Sequence, residues 1–230
     1  MPPPNLLPSY SAKTVRQEGG SYFVDAKGMR LPSVTTILNA TKPQADREAL
    51  MRWRDRLGAE EANRVAGAAS RRGTLTHKQV KNYLLGEEIS CPETAKPYWD
   101  SLQPVLSEIQ DVRLIESTVF HYDLRYAGKV DCVASYRGTP CILDWKTADA
   151  PKGSVERLYD GPLQLAAYCG AVNHVYTDYG ITLRHALLVV AIRDRPAEIF
   201  WFEPEDVLDR WQQWQGRVED YYRFRRFAFR

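Results

Sequence analysis

Asp131, Asp144 and Lys146 are the residues whose types and spacing point most directly to chemistry. They lie in two apolar runs, Tyr126 to Tyr136 and Cys141 to Thr147, separated by Arg137-Gly138-Thr139-Pro140. Arg137-Gly138 is a turn signal, because glycine takes positive φ at little cost. A hairpin turning there sets Asp131 directly across from Asp144, with Cβ atoms ~4.5–5.5 Å apart. Asp144 and Lys146 are two residues apart and share a face. Two facing carboxylates repel each other unless a cation lies between them, and hard oxygen donors suit Mg²⁺ or Mn²⁺. One ion, or two at a spacing of ~3.5–4 Å, would activate water for in-line attack on a phosphorus. Lys146 would orient that water, help to deprotonate it or stabilise phosphoryl charge. The plain alternative is an Asp–Lys ion pair on a solvated face. Both carboxylates being embedded beside Val130 and Ile142-Leu143 favours the metal site.

The hairpin needs elements to hold it. Val112 to Tyr122 reads as a preceding strand, and Pro162 opens a helix through Leu165, Tyr168 and Val172. Ile181 to Ile192 and Glu198 to Phe202 read as strands joined across Arg193-Asp194-Arg195-Pro196. An aromatic-rich helix with Leu208, Trp211, Trp214 and Val218 follows from Asp206. Upstream, Tyr22-Phe23-Val24 and Met29-Arg30-Leu31 read as a hairpin, and Ser33 caps a short helix. Gln44 to Leu85 is mostly helical, punctuated by Gly58 and Gly73 and ended by Gly86, and a further helix spans about Thr94 to Ile109. The fold class expected from these elements is α/β, with a helical N-terminal portion. Residues 1–20, rich in Pro, Ser and Gly, read as a flexible arm. Residues 21–230 read as a single domain, helical over 21–110 and a catalytic α/β core over 111–230.

Composition sets bounds on function. Hydrophobic residues at 44% and charged residues at 26% are globular values and exclude wholesale disorder. A net charge of +2 neither demands nor excludes a polyanion partner. Cys91, Cys132, Cys141 and Cys169 form no CxxC pair and match no zinc ribbon, which favours reduced thiols. No run reaches the ~18 apolar residues of a membrane span, and the first residues carry neither a secretory signal nor an Arg-rich presequence pattern. A cytoplasmic bacterial or phage protein, acting as a monomer away from membranes, is the expectation. A eukaryotic source would allow a mitochondrial one.

Several ordered motifs extend this reading. They are Leu31-Pro32-Ser33-Val34-Thr35, Gly73 to His77, Leu114-Ile115-Glu116-Ser117, Gly128-Lys129-Val130-Asp131, Asp144-Trp145-Lys146-Thr147 and Pro162-Leu163-Gln164 with Ala167-Tyr168. Taken in order over about residues 31–222, the set resembles the PD-(D/E)XK nuclease superfamily in its RecB-like branch, and within it the mitochondrial genome maintenance exonuclease group. The resemblance implies a restriction-endonuclease-like core, a central mixed sheet flanked by helices, and a DNA exonuclease favouring single strands with a free end. The strand would thread beneath a helical arch built from about residues 43–85. The resemblance also implies His77 and the Trp145 backbone carbonyl as metal ligands beside Asp131 and Asp144. Gln164 would contact the catalytic centre or a phosphate, Tyr168 would support it, and Glu116 would bind a second ion or tune Lys146.

Each supporting residue has a plainer reading. His77 follows Gly73 at i+4, where a small residue would let the helix approach the sheet, but an isolated histidine is more often exposed or in a core. Gln164 and Tyr168 share a helix face and could be a surface pair, and Glu116 could be an ordinary strand carboxylate. Thr147 is placed to bond a phosphate. Arg71 and Arg72 could line a phosphate channel or a solvated face, and Arg223, Arg225 and Arg226, interleaved with aromatics, could bind single strands or dock on the domain. Rival functions are a structure-selective endonuclease, a non-catalytic DNA-binding module and a small-molecule metallohydrolase.

Overall fold

The structure is a computed structural model describing residues 5–17 and 19–228, with the backbone path alone for residues 225–228. Strands β4 (Ile109–His121), β5 (Tyr126–Tyr136), β6 (Thr139–Ala148), β7 (His185–Ile192) and β8 (Arg195–Phe202) form a mixed five-stranded sheet in chain order. Neighbours are antiparallel except β6 and β7, which run parallel and need a crossover. Helix α5 (Gly161–Val175) supplies it. The hairpin register is as expected, with Tyr136 paired to Thr139 and Cys132 to Leu143. Arg137 and Gly138 both take positive φ, at 50° and 82°, as a two-residue hairpin loop of matching twist requires.

Each sheet face buries its own core. On one face α5 lies against β4, β5 and β7, backed by α1 (Val34–Ala40) and α6 (Pro204–Ala228). Leu165, Ala167, Tyr168, Ala171 and Val172 are all buried, because α5 is covered by sheet on one side and helices on the other. On the opposite face, α4 (Lys96–Leu106) and the C-terminal half of α3 (Ala59–Leu85) cover Cys132, Leu143, Trp145 and Val189. Helix α2 (Gln44–Leu57) has no buried residue and packs chiefly on α3. No helix among the described residues is long and apolar enough to cross a membrane.

Local departures from expectation have local causes. Lys13–Gln17 is a strand, β1, in a small sheet with β2 (Gly20–Val24) and β3 (Arg30–Pro32). Leu7 is buried and donates its N–H to the Arg113 carbonyl, so the described part of the expected loose arm is folded onto the protein. Helix α4 ends at Leu106, and Ile109 already pairs with Tyr136 in β4. Strand β7 begins at His185 rather than Ile181. Gly73 does not interrupt α3, which runs unbroken to the left-handed Gly86 cap.

Candidate active site

The sheet ladders place three carboxylates side by side. Ile115 pairs with Cys132 and Ser117 with Val130, which sets Glu116 opposite Asp131. On the other side of β5 the ladder to β6 stops at Cys132–Leu143, one residue short of Asp131 and Asp144. There β5 and β6 part, and the Asp131 carboxylate accepts the Trp145 backbone N–H at 2.9 Å. Strand β5 also changes sides at this point. Val130 lies in the core under α5 while Cys132 lies in the core under α4, so side-chain alternation inverts at Asp131. Glu116 inverts β4 in the same way by taking φ of 47°, a left-handed conformation that costs a non-glycine residue of order 1 kcal/mol or more.

His77 enters the fork from α3. Its Nε2 donates to the Trp145 carbonyl at 2.8 Å, while Nδ1 lies 3.4 Å from Glu116 and 3.5 Å from Asp131. Burial disfavours a charged imidazole, but the hydrogen bonds to Asp131 and Glu116 outweigh it and push the group up to about 11. Glu116 is drawn below its ordinary range against its own burial by His77 and by Lys129, whose Nζ is 2.5 Å away. Sequence alone gives no role to Gly128 or Lys129, although both lie in the motif that ends at Asp131.

Asp144 and Lys146 point to the α5 side. Asp144 is buried, and its carboxyl is raised by desolvation against the pull of Lys146. Lys146 Nζ lies 2.5 Å from Asp144 Oδ2, yet that oxygen accepts no aligned hydrogen bond. Asp144 and Asp131 hold Lys146 protonated despite its desolvation. Lys146 Nζ also donates to Gln164 Oε1 at 3.1 Å, and Gln164 Nε2 donates to the Tyr168 hydroxyl at 2.9 Å. The buried Tyr168 ring packs on Gly128, where an added Cβ would lie 2.4 Å from it. Gly128, Tyr168 and Gln164 thus form a relay that fixes Lys146.

The neighbouring residues meet the rest of the fold. The Trp145 indole is buried in the α4-side core, leaving only its backbone at the site. Thr147 Oγ1 accepts from Arg72 Nε at 3.2 Å and so is already engaged. Arg72 also donates to Asp149 and stacks 4.7 Å from the Tyr98 ring centroid, which makes it a bracket between α3 and β6. Arg71 and Arg72 line a recess with Tyr98, Asp149 and Arg193. Arg223 pairs with Asp220 within α6 at 3.5 Å, and the Arg225 and Arg226 side chains lie outside the described residues.

The model of the PD-(D/E)XK nuclease superfamily matches residues 35–228. The chain belongs to that superfamily. Its curated relatives include mitochondrial genome maintenance exonuclease 1 of Xenopus tropicalis, 38% identical over 199 residues, covering 83% of this chain and 57% of that protein. The mouse protein of the same name is 37% identical, covering 83% of this chain and 59% of its own length. The human one is 34% identical over 205 residues, covering 83% and 58%. The chain therefore spans less than two thirds of the length of these relatives.

PD-(D/E)XK nucleases generally use divalent metal ions, and the residues present fit one. His77, Glu116 and Asp131 each offer a ligand atom, all within 4.8 Å of one another. An imidazole with two carboxylates is a donor set that accepts Mn²⁺ or Mg²⁺. Asp144, which sequence pairing placed in this set, lies outside the cluster and against Lys146.

Proposed function

We propose that the chain is a metal-dependent exonuclease that hydrolyses phosphodiester bonds of single-stranded DNA from a free end. The observation that carries this is the convergence of Glu116, Asp131, Asp144, Lys146 and His77 at the fork between β5 and β6. His77, Glu116, Asp131 and the Trp145 carbonyl would hold the ion, with the Asp144 carboxyl adjoining. A bound Mg²⁺ or Mn²⁺ would lower the pKa of its water and neutralise charge developing on phosphate. Lys146 keeps a proton on Nζ and, steered by Gln164, presents that charge to the attacked phosphate and the water. The dry pocket around Asp144 strengthens both interactions.

The requirement for a free end is supported by the exonuclease names of relatives at 34–38% identity. It is supported too by the helical pair α2 and α3, of which α2 buries no residue and packs chiefly on α3. Maintenance of DNA during replication or repair is the setting we extend from those names. The test is digestion of end-labelled single- and double-stranded DNA with Mg²⁺ or Mn²⁺. Linear single strands are expected to be degraded, with Lys146→Ala slower by about 10²-fold or more. A covalently closed single-stranded circle cut as fast as a linear strand would overturn the exonuclease reading, and full activity in Lys146→Ala would overturn the site.

A further inference from the structure

Gly73 sits in the interior of α3, where glycine costs about 1 kcal/mol relative to alanine. Packing does not require it, because a Cβ at this position would meet nothing within 4 Å. The expectation that a small residue lets the helix approach the sheet therefore fails. The glycine opens instead onto a basin of about 540 Å³. Lys78 and Lys81 line it from α3, Lys129 lines it from β5, and His77 and Glu116 form the wall shared with the candidate metal cluster. Glu116 is the single acidic side chain lining the basin, and His77 and Lys129 already face it. Lys78 and Lys81 are exposed and one helical turn apart, so both ammonium groups are available to a ligand. The recess beyond the other side of α3 is less suited to an anion. Its Arg72 is held by Asp149, and Glu93 adds a second carboxylate.

We propose that this basin is a substrate subsite, seating a backbone phosphate of single-stranded DNA next to the one that is cleaved. Lys78 and Lys81 contact that phosphate from the helix, and Lys129 contacts it from the sheet. The bare backbone at Gly73 leaves room for the adjoining sugar. The assignment rests on the nuclease reading and adds where the strand lies relative to His77. It also explains why a helix bears an unfavourable residue with open space in front of it.

The test is equilibrium binding of a labelled oligothymidylate to the full chain in EDTA, across a salt series. It is run for the wild type, Lys78→Ala, Lys81→Ala, the double variant, Gly73→Ala and, as a control on the β2–β3 turn, Lys27→Ala. Each lysine variant is expected to weaken binding several-fold. The double variant should also flatten the dependence of log K on log salt, by up to about 0.7 for the one phosphate these lysines seat, with Lys27→Ala unchanged. Gly73→Ala should melt at a higher temperature than the wild type and yet bind several-fold more weakly, raising KM more than it lowers kcat. A purely structural glycine would not separate these two effects. If the wild type binds and digests DNA while the lysine variants keep its affinity and salt slope, the subsite is wrong and the nuclease reading stands. Wild-type affinity in Gly73→Ala would likewise overturn the role given to that residue. If the wild type neither binds nor cuts DNA, both readings fall.

Discussion

A methyl group added at Gly128 would lie 2.4 Å from the Tyr168 ring, closer than real carbon contacts allow. Gly128→Ala must push that ring away, and with it the hydroxyl that accepts from Gln164. The expected outcome is a loss of about 1–3 kcal/mol in stability by urea denaturation, with a lower kcat because Gln164 no longer holds Lys146. Wild-type values for both would refute the relay. The site residues differ in how legible they were. Asp131, Asp144 and Lys146 followed from a turn signal and a two-residue period. Gln164 and Tyr168 followed from a four-residue period, and their link to Lys146 did not. Glu116 could not be aimed from sequence, because its positive φ inverts the alternation that any strand reading assumes. The facing Asp pair continues the register of the hairpin, but the backbone ladder stops one residue before it.

At the scale of elements, His77 reaches the fork only because α3 is docked on β6. Arg72 secures that docking through Thr147, Asp149 and the Tyr98 ring, and Tyr98 itself donates to Asp149 at 2.5 Å. In a double-mutant cycle of Arg72→Ala and Asp149→Ala, a coupling of roughly 0.5–1 kcal/mol is expected, modest because Asp149 is largely exposed. Additive single-variant losses would show that the pair does not act as a bracket. Helix α3 was legible through its periodicity and its Gly86 stop. The arginine's duty was not, because its hydrogen-bond partners lie more than seventy residues away along the chain. The end of α4 was misplaced because Ile109 suits an apolar helix face and a strand equally, and its pairing with Tyr136 decides.

Over the whole molecule, two cores share one sheet, while α2 and the outer half of α3 stand apart from both. Helix α2 carries Arg52, Arg54 and Arg56 and buries no residue, so local opening there is cheap. Limited trypsin digestion, followed by mass spectrometry, should cut first in α2 and leave β4 to α6 intact. First cuts within the sheet would contradict this ranking. Single-stranded DNA passing beneath the helical pair should slow the α2 cuts. The succession of three strands, a helix, two strands and a helix was legible from the change of period. The folding of the N-terminal segment was not, since its Pro-, Ser- and Gly-rich composition resembles a loose arm. Its anchors are distant, with Leu7 on Arg113, Tyr10 on Val175 and Tyr176 on Pro8.

The bond from the Trp145 amide to Asp131 has a consequence for observing this site in solution. Most amides of a sheet are shielded from deuterium exchange by a carbonyl on the next strand, and report on the ladder. This one is shielded by a carboxylate oxygen, so its exchange rate follows a side chain. Whatever draws that oxygen away unmasks a single amide while its neighbours in the sheet stay silent. The fork therefore carries its own spectroscopic reporter, readable without a substrate or a label.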